Sequence, residues 1–230
     1  MIIAMFLAHL VGDYVLQWDQ LALWKSREVK GVLVHGLVVF IVTWLFTLPF
    51  DPTWWQGVVL ISATHVLVDM VQFWIKPPLP ALVRFVLDQG IHIGVILFAL
   101  WLGGYLRWST LVTDLVADMQ AQPLLTFLLA YAFITMPAWV LLKFLTYGLV
   151  KGCAPNFPEN GNKYLGIAER ILITTFVAMG QFLLVPLVTL PRLVFDWRRL
   201  LNRDHRPVYL FELLASVILA VVTGLSLRGL

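Results

Sequence analysis

Residues 31–48 read GVLVHGLVVFIVTWLFTL, eighteen positions without a single Asp, Glu, Lys or Arg. As a helix rising 1.5 Å per residue the stretch is about 27 Å long, close to the roughly 30 Å hydrocarbon core of a bilayer. A helix at the surface of a soluble protein is apolar along one stripe, whereas this one is apolar all round. It reads as a membrane span, and its one ionisable residue is His35. Pro49 and Pro52 close it.

The rest of the chain agrees. Of its 230 residues 60% are hydrophobic and 13% charged, with a net charge of +3. The mean hydropathy is +0.87. Soluble domains carry about 25% charged residues, and a chain of this length could not hide so much apolar surface from water. The composition excludes a soluble enzyme, a disordered chain and a nucleic-acid binder with a basic face. The apolar runs are continuous rather than alternating, which argues against a transmembrane barrel. Cys153 is the only cysteine, so there is no internal disulfide and no cysteine-only metal site. The opening MIIAMFLAH has neither a basic n-region nor a cleavage site and reads as the first helix rather than a signal peptide.

Six further segments flank the first one. They run from Ile2 to about Leu16, Trp54 to Ile75, Leu82 to Leu106, Pro123 to Leu145 with a kink at Pro137, Tyr164 to Leu190, and Val208 to Leu227. The expectation is an all-α polytopic membrane bundle of about seven transmembrane helices. It forms a single membrane domain over 1–230, with a four-helix half (1–106) and a three-helix half (107–230). Arg107–Gln122 suits an amphipathic surface helix. Lys76-Pro77-Pro78 and the Pro-, Asn- and Gly-rich 151–163 stretch are breaks. Pro191–Arg206, with five arginines and the solvated His205, suits the membrane surface. Basic residues lean toward the first, third and fifth loops, which the positive-inside rule places in the cytoplasm.

Charges within the spans carry the functional information. An Asp near a helix centre costs about 2.5–3.5 kcal/mol on insertion scales, so three unpaired ones would cost roughly 8–10 kcal/mol. The first four spans hold His9 and Asp13, His35, His65 and Asp69, and Asp88, Gln89 and His92. The pairs His9/Asp13, His65/Asp69 and Asp88/His92 are each four apart, so each shares one helix face. Gln17 extends the face of His9 and Asp13, and Gln72 that of Asp69. Counted from the nearest helix ends, these groups lie within about 6–16 Å of the same membrane side. They would line a cavity open to that side.

Imidazoles with carboxylates suit Zn, Mn or Fe, or a two-metal centre. The four His and three Asp are enough for two ions with an open position for water. His9, His35, His65 and His92 are the candidate ligands. Asp13, Asp69 and Asp88 are ligands, partners of the ligating His, or the general base. Gln17 and Gln89 would orient substrate or water. Three other readings compete: His–Asp bonds that tie the bundle together, a proton or ion path, and a haem. A second constellation, Gly166, Glu169 and Arg170, reads either as an ion pair at a helix start or as a site for an anionic group.

The series HLVGDYVLQ over 9–17, then His35, HVLVD over 65–69 and DQGIH over 88–92 resembles a bacterial membrane family known as domain of unknown function 3307. GIAER over 166–170 is similar to an element of its longer members. The resemblance implies a multi-pass protein of the bacterial inner (cytoplasmic) membrane with a buried polar site, and it names no activity. The reading that follows is a metal-dependent hydrolase or transferase acting on a lipid or lipid-linked substrate, with a divalent Zn, Mn or Fe ion and with Arg170 and Glu169 on an anionic group. The bilayer is its surroundings, and nucleic acid is not a partner. A transporter of a metal or small solute and a non-catalytic scaffold are the alternatives.

Overall fold

The computed structural model describes every residue except Lys76, Asn156, residues 158–162, Asp204, His205 and Leu230. The expectations for Lys76, for part of the 151–163 break and for His205 therefore fall outside the described residues. All regular structure among the described residues is helical. In chain order the helices are α1 (Ile2–Leu10), α2 (Asp19–Arg27), α3 (Val29–Thr47), α4 (Trp55–Trp74), α5 (Ala81–Leu102), α6 (Leu111–Ala121), α7 (Pro123–Ile134), α8 (Met136–Thr146), α9 (Lys163–Ala178), α10 (Leu184–Phe195), α11 (Trp197–Leu201) and α12 (Arg206–Arg228). Contacts gather the chain into two compact units, Met1–Leu79 with Val86–Ala132, and Pro80–Phe85 with Phe133–Leu230.

Four described helices, α3, α4, α5 and α12, are long and apolar enough to cross a membrane, and α7 with α8 forms a bent pair that could make a fifth. About seven were expected, and the difference has local causes. The first expected span is α1 followed by a π turn over Val11–Val15. Together they cover fourteen residues, about 21 Å, short of the hydrocarbon thickness. The sixth expected span is divided. Gly180 stands at φ 77°, its amide donates to the Val177 carbonyl at 2.9 Å, and the Gln181 amide donates to the Phe176 carbonyl at 2.7 Å. That pair of bonds is a Schellman closure with glycine in the left-handed position, and it separates α9 from α10. The bend in the α7–α8 pair falls at Thr135, just ahead of the expected kink at Pro137, which occupies the start of α8 where its missing N–H costs nothing.

In the first unit, α3 and α4 approach closely. A Cβ on Gly36 would lie 2.1 Å from Val66 Cγ2, so only glycine permits this separation, in the manner of small residues at membrane helix interfaces. The next residues, His35 and His65, are thereby brought face to face. Gly31 does the same for α2, since a Cβ there would meet the Lys25 amide at 2.5 Å. An apolar core of Met1, Ile2, Met5, Trp54, Ile61, Ile96 and Leu100 fills one end of the unit. Asp118 on α6, the expected amphipathic helix, accepts from the Met1 amine at 2.9 Å and from the Ile3 amide at 2.8 Å, capping the start of α1.

The second unit packs α9 against α10 and α12 around Ile173, Val177 and Ala220. Arg192, expected at the membrane surface, is instead buried on α10. It contacts Glu169 at 2.9 Å and Glu212 at 3.5 Å, and Lys143 contacts Glu212 at 3.0 Å. Arg192 and Lys143 are thus internal partners of carboxylates and not free charges for setting orientation.

Candidate metal centre

Helix geometry stacks the site in two tiers. His9 precedes Asp13 on α1 and its π turn, His65 precedes Asp69 on α4, and on the antiparallel α5 Asp88 precedes His92. The four imidazoles form one cluster. The His65 and His92 rings stack with centroids 4.1 Å apart, His35 and His65 lie 5.1 Å apart, and His9 and His92 lie 5.6 Å apart. All four His are buried, with His35 completely so.

Four ligand atoms converge beneath this tier. His35 Nε2 and His65 Nε2 are 3.1 Å apart. Asp13 Oδ1 lies 3.3 Å from the first and 3.2 Å from the second. Asp69 Oδ2 lies 3.7 Å and 3.5 Å from the same two nitrogens. A tetrahedron of ligands about 2.0–2.1 Å from a metal has edges of about 3.3–3.4 Å, so these five separations bracket that value. Asp13 Oδ1 and Asp69 Oδ2 are both buried without a hydrogen-bond partner. Asp69 Oδ2 is also 2.7 Å from Lys25 Nζ. That is an ion-pair distance whose angle misses hydrogen-bond geometry, and the two imidazole contacts to Asp13 miss it likewise. Buried polar atoms that crowd together without satisfying one another call for a further group between them.

The remaining residues flank this core. His92 Nε2 is 3.1 Å from Asp88 Oδ1. Asp88 also accepts from the amides of Gln72, through Oδ1, and Gln89, through Oδ2 at 2.9 Å. Asp69, Asp88 and His92 offer ligand atoms that all lie within 4.8 Å of one another, and so do His9, Asp13 and His65. His9 Nδ1 is 3.7 Å from Asp13 Oδ2, and its Nε2 is buried without a partner.

The site is one-sided. Past the imidazoles, Met5, Val39, Ile61 and Ile96, with Thr43 among them, close the bundle around a cavity of about 10 Å³, which His9, His65 and His92 also line. That is room for about one water and far too little for a haem. Beyond it stands the apolar core, where Thr47 donates to the Thr43 carbonyl at 2.7 Å. On the other side lies α2, which carries Lys25 and the exposed apolar side chains of Trp18, Leu23 and Trp24 at its start and along its length.

A family model described as protein of unknown function (DUF3307) matches residues 1–119. The chain belongs to this family. No curated protein and no solved structure matches it significantly. The part of the chain shared with the family holds every His and Asp of the cluster, together with Lys25, Gln72 and Gln89.

Three expectations land elsewhere. Gln17 sits in the bend after the π turn, which takes it off the helical register that would align it with His9 and Asp13. Glu169 and Arg170 belong to the second unit. Arg170 is buried there, donating from Nε to the Ile134 carbonyl at 2.6 Å, from Nη2 to the Thr135 carbonyl at 3.1 Å, and from Nη1 to Ser216 Oγ at 3.3 Å. It holds carbonyls at the break between α7 and α8. Lys25 is the member of the first-unit cluster that spacing could not find, because it lies in a short helix outside the apolar runs.

Proposed function

We propose that this DUF3307 protein is a multi-pass membrane protein whose first unit holds a divalent Zn, Mn or Fe ion on His35, His65, Asp13 and Asp69, and that it is a metal-dependent hydrolase or transferase acting on a lipid or lipid-linked substrate. The observation that carries this reading is the convergence of two imidazole nitrogens and two carboxylate oxygens, with five of their separations close to the edge length of a coordination tetrahedron. Bound there, the ion would supply a Lewis acid and an acidified water. His9 and His92 would complete the ligand shell or hold the ligands in place. Asp88, held by Gln72 and Gln89, stands beside this core as a further ligand or the general base, and Gln89 would orient a water there. The amphipathic α2, with apolar side chains outward and Lys25 inward, suits the entry of an amphiphile from the bilayer surface. Within the second unit Arg170 is engaged at the α7–α8 break and Glu169 on Arg192, and neither is assigned a role in this chemistry.

The apolar closure beyond the His tier favours an enzyme over a transporter, since a path through the first unit would need polar groups on both sides of the ligands. The test is elemental mass spectrometry on detergent-purified protein. Wild type carrying Zn, Mn or Fe, with the metal lost in His35→Gln and Asp69→Asn, supports the centre. Metal-free wild type that takes up none of these ions on dialysis removes it.

A further inference from the structure

Asp69, Asp88 and His92 form a ligand set that overlaps the first only at Asp69. Building on the metal centre proposed above, we infer that this set binds a second divalent ion, with Asp69 bridging the two, and that the resulting pair acts on a phosphate ester or another anionic group.

Three features of the molecule lead there. The first is placement. His92 stacks on His65 at 4.1 Å, with the planes 20° apart. A ligand of the first ion and the imidazole of the second set therefore stand side by side, as ligands of neighbouring ions do when metals lie about 3.5–4 Å apart. The second is support. Gln72 reaches Asp88 from α4 and Gln89 reaches it from α5. Two amide donors on a half-buried carboxylate fix its direction, which is the outer-shell arrangement that metal ligands need.

The third is charge. The cluster holds three carboxylates, Asp13, Asp69 and Asp88, against one ammonium, that of Lys25. With neutral imidazoles the buried sum is –2. One divalent ion brings this to zero, and two bring it to +2. A site at +2 is complementary to a hydroxide plus a singly charged phosphodiester, whereas a site at zero offers an anion no net charge. Lys25 is the part of this balance that a metal would displace. Its ammonium rests on Asp69 Oδ2, an atom the metal would use, and displacing it from there leaves it at the mouth beside an arriving anion.

Manganese makes the inference measurable without any activity. Detergent-purified full chain is dialysed against MnCl2, its bound Mn counted by elemental mass spectrometry, and its electron paramagnetic resonance spectrum recorded. The expected result is two Mn per chain with the multiline spectrum of a spin-coupled pair. His92→Gln and Asp88→Asn should each retain one Mn with the six-line spectrum of an isolated ion. Two variants guard against a folding defect in either. One Mn per chain in wild type, with a six-line spectrum that His92→Gln leaves unchanged, overturns the second site and leaves the first standing. No Mn in wild type, nor any Zn in parallel dialysis, removes both.

Discussion

At the scale of single residues, burial of a charged group decides what it must do. Asp13 and Asp69 lie where an unpaired carboxylate is expensive, and neighbours at 3.2–3.7 Å do not satisfy them. The one fixed cation at hand, Lys25, sits on an oxygen that a metal would take. Lys25→Met therefore should tighten metal binding about tenfold, equivalent to about 1.4 kcal/mol. Competition dialysis against a chelator measures this, and an affinity equal to or weaker than wild type contradicts it. Lys25 also marks the boundary of sequence reading. The pairs at 9/13, 65/69 and 88/92 were legible because helical spacing fixes a shared face. Contact between a long flexible lysine on one helix and a carboxylate on another has no such rule. Gln17 shows the converse: its spacing from Asp13 matched, but a π turn changed the register.

At the scale of elements, closeness between helices sets the site. Gly36→Val would force α3 away from α4, because even a Cβ meets Val66 at 2.1 Å. A cost of about 1–3 kcal/mol is expected from overpacking, with metal lost as His35 leaves His65. Thermal unfolding in detergent and metal counting read the two effects separately. Arg170→Lys should cost about 1–3 kcal/mol by leaving the Ile134 carbonyl without its donor, and metal content should not change. A metal-depleted Arg170→Lys would refute this separation of roles. Outside the helices, Asp51 between α3 and α4 accepts from Thr53 and from the Tyr105 hydroxyl. Those bonds, Thr53 first, hold the Asp51 carboxyl below its usual range, while partial burial and the Asp51 carboxylate push Tyr105 up to about 12. The clamp therefore contributes stability at neutral pH and loses it at both extremes. On the acid side the loss comes as pH falls below the ordinary carboxylate range through the lowered value, and on the alkaline side as pH rises from 10.0 to about 12. Asp51→Asn should flatten both limbs in pH-dependent unfolding.

At the scale of the whole molecule, composition pointed to the class. Sixty per cent hydrophobic residues with 13% charged predict a helical membrane protein, and the described residues form helices that include four candidate spans. The number of crossings was harder to read. Four described helices are long enough and a bent pair could supply one more, because one apolar run, Ile2–Val15, is too short to cross and another is cut by a Schellman closure at Gly180. Hydropathy measures the solvent a segment prefers and is insensitive to a single residue with positive φ. The buried Glu169–Arg192–Glu212–Lys143 network was hidden for a related reason. Its members come from four helices, and the sequence shows them as separate interfacial charges. The half of the chain shared with DUF3307 holds the whole His/Asp cluster and closes at one end on apolar side chains. Proteoliposomes holding the protein should therefore release or take up Zn2+ no faster than empty vesicles. Uptake that His65→Gln abolishes would move the assignment to a transporter.

The most direct test of the metal centre is the X-ray absorption spectrum of detergent-purified protein loaded with one equivalent of zinc. The account predicts four nitrogen or oxygen ligands at about 2.0–2.1 Å, with the outer-shell scattering of two imidazoles that falls to one in His35→Gln. A spectrum without imidazole scattering, matching hydrated zinc and unchanged in the variant, would contradict it.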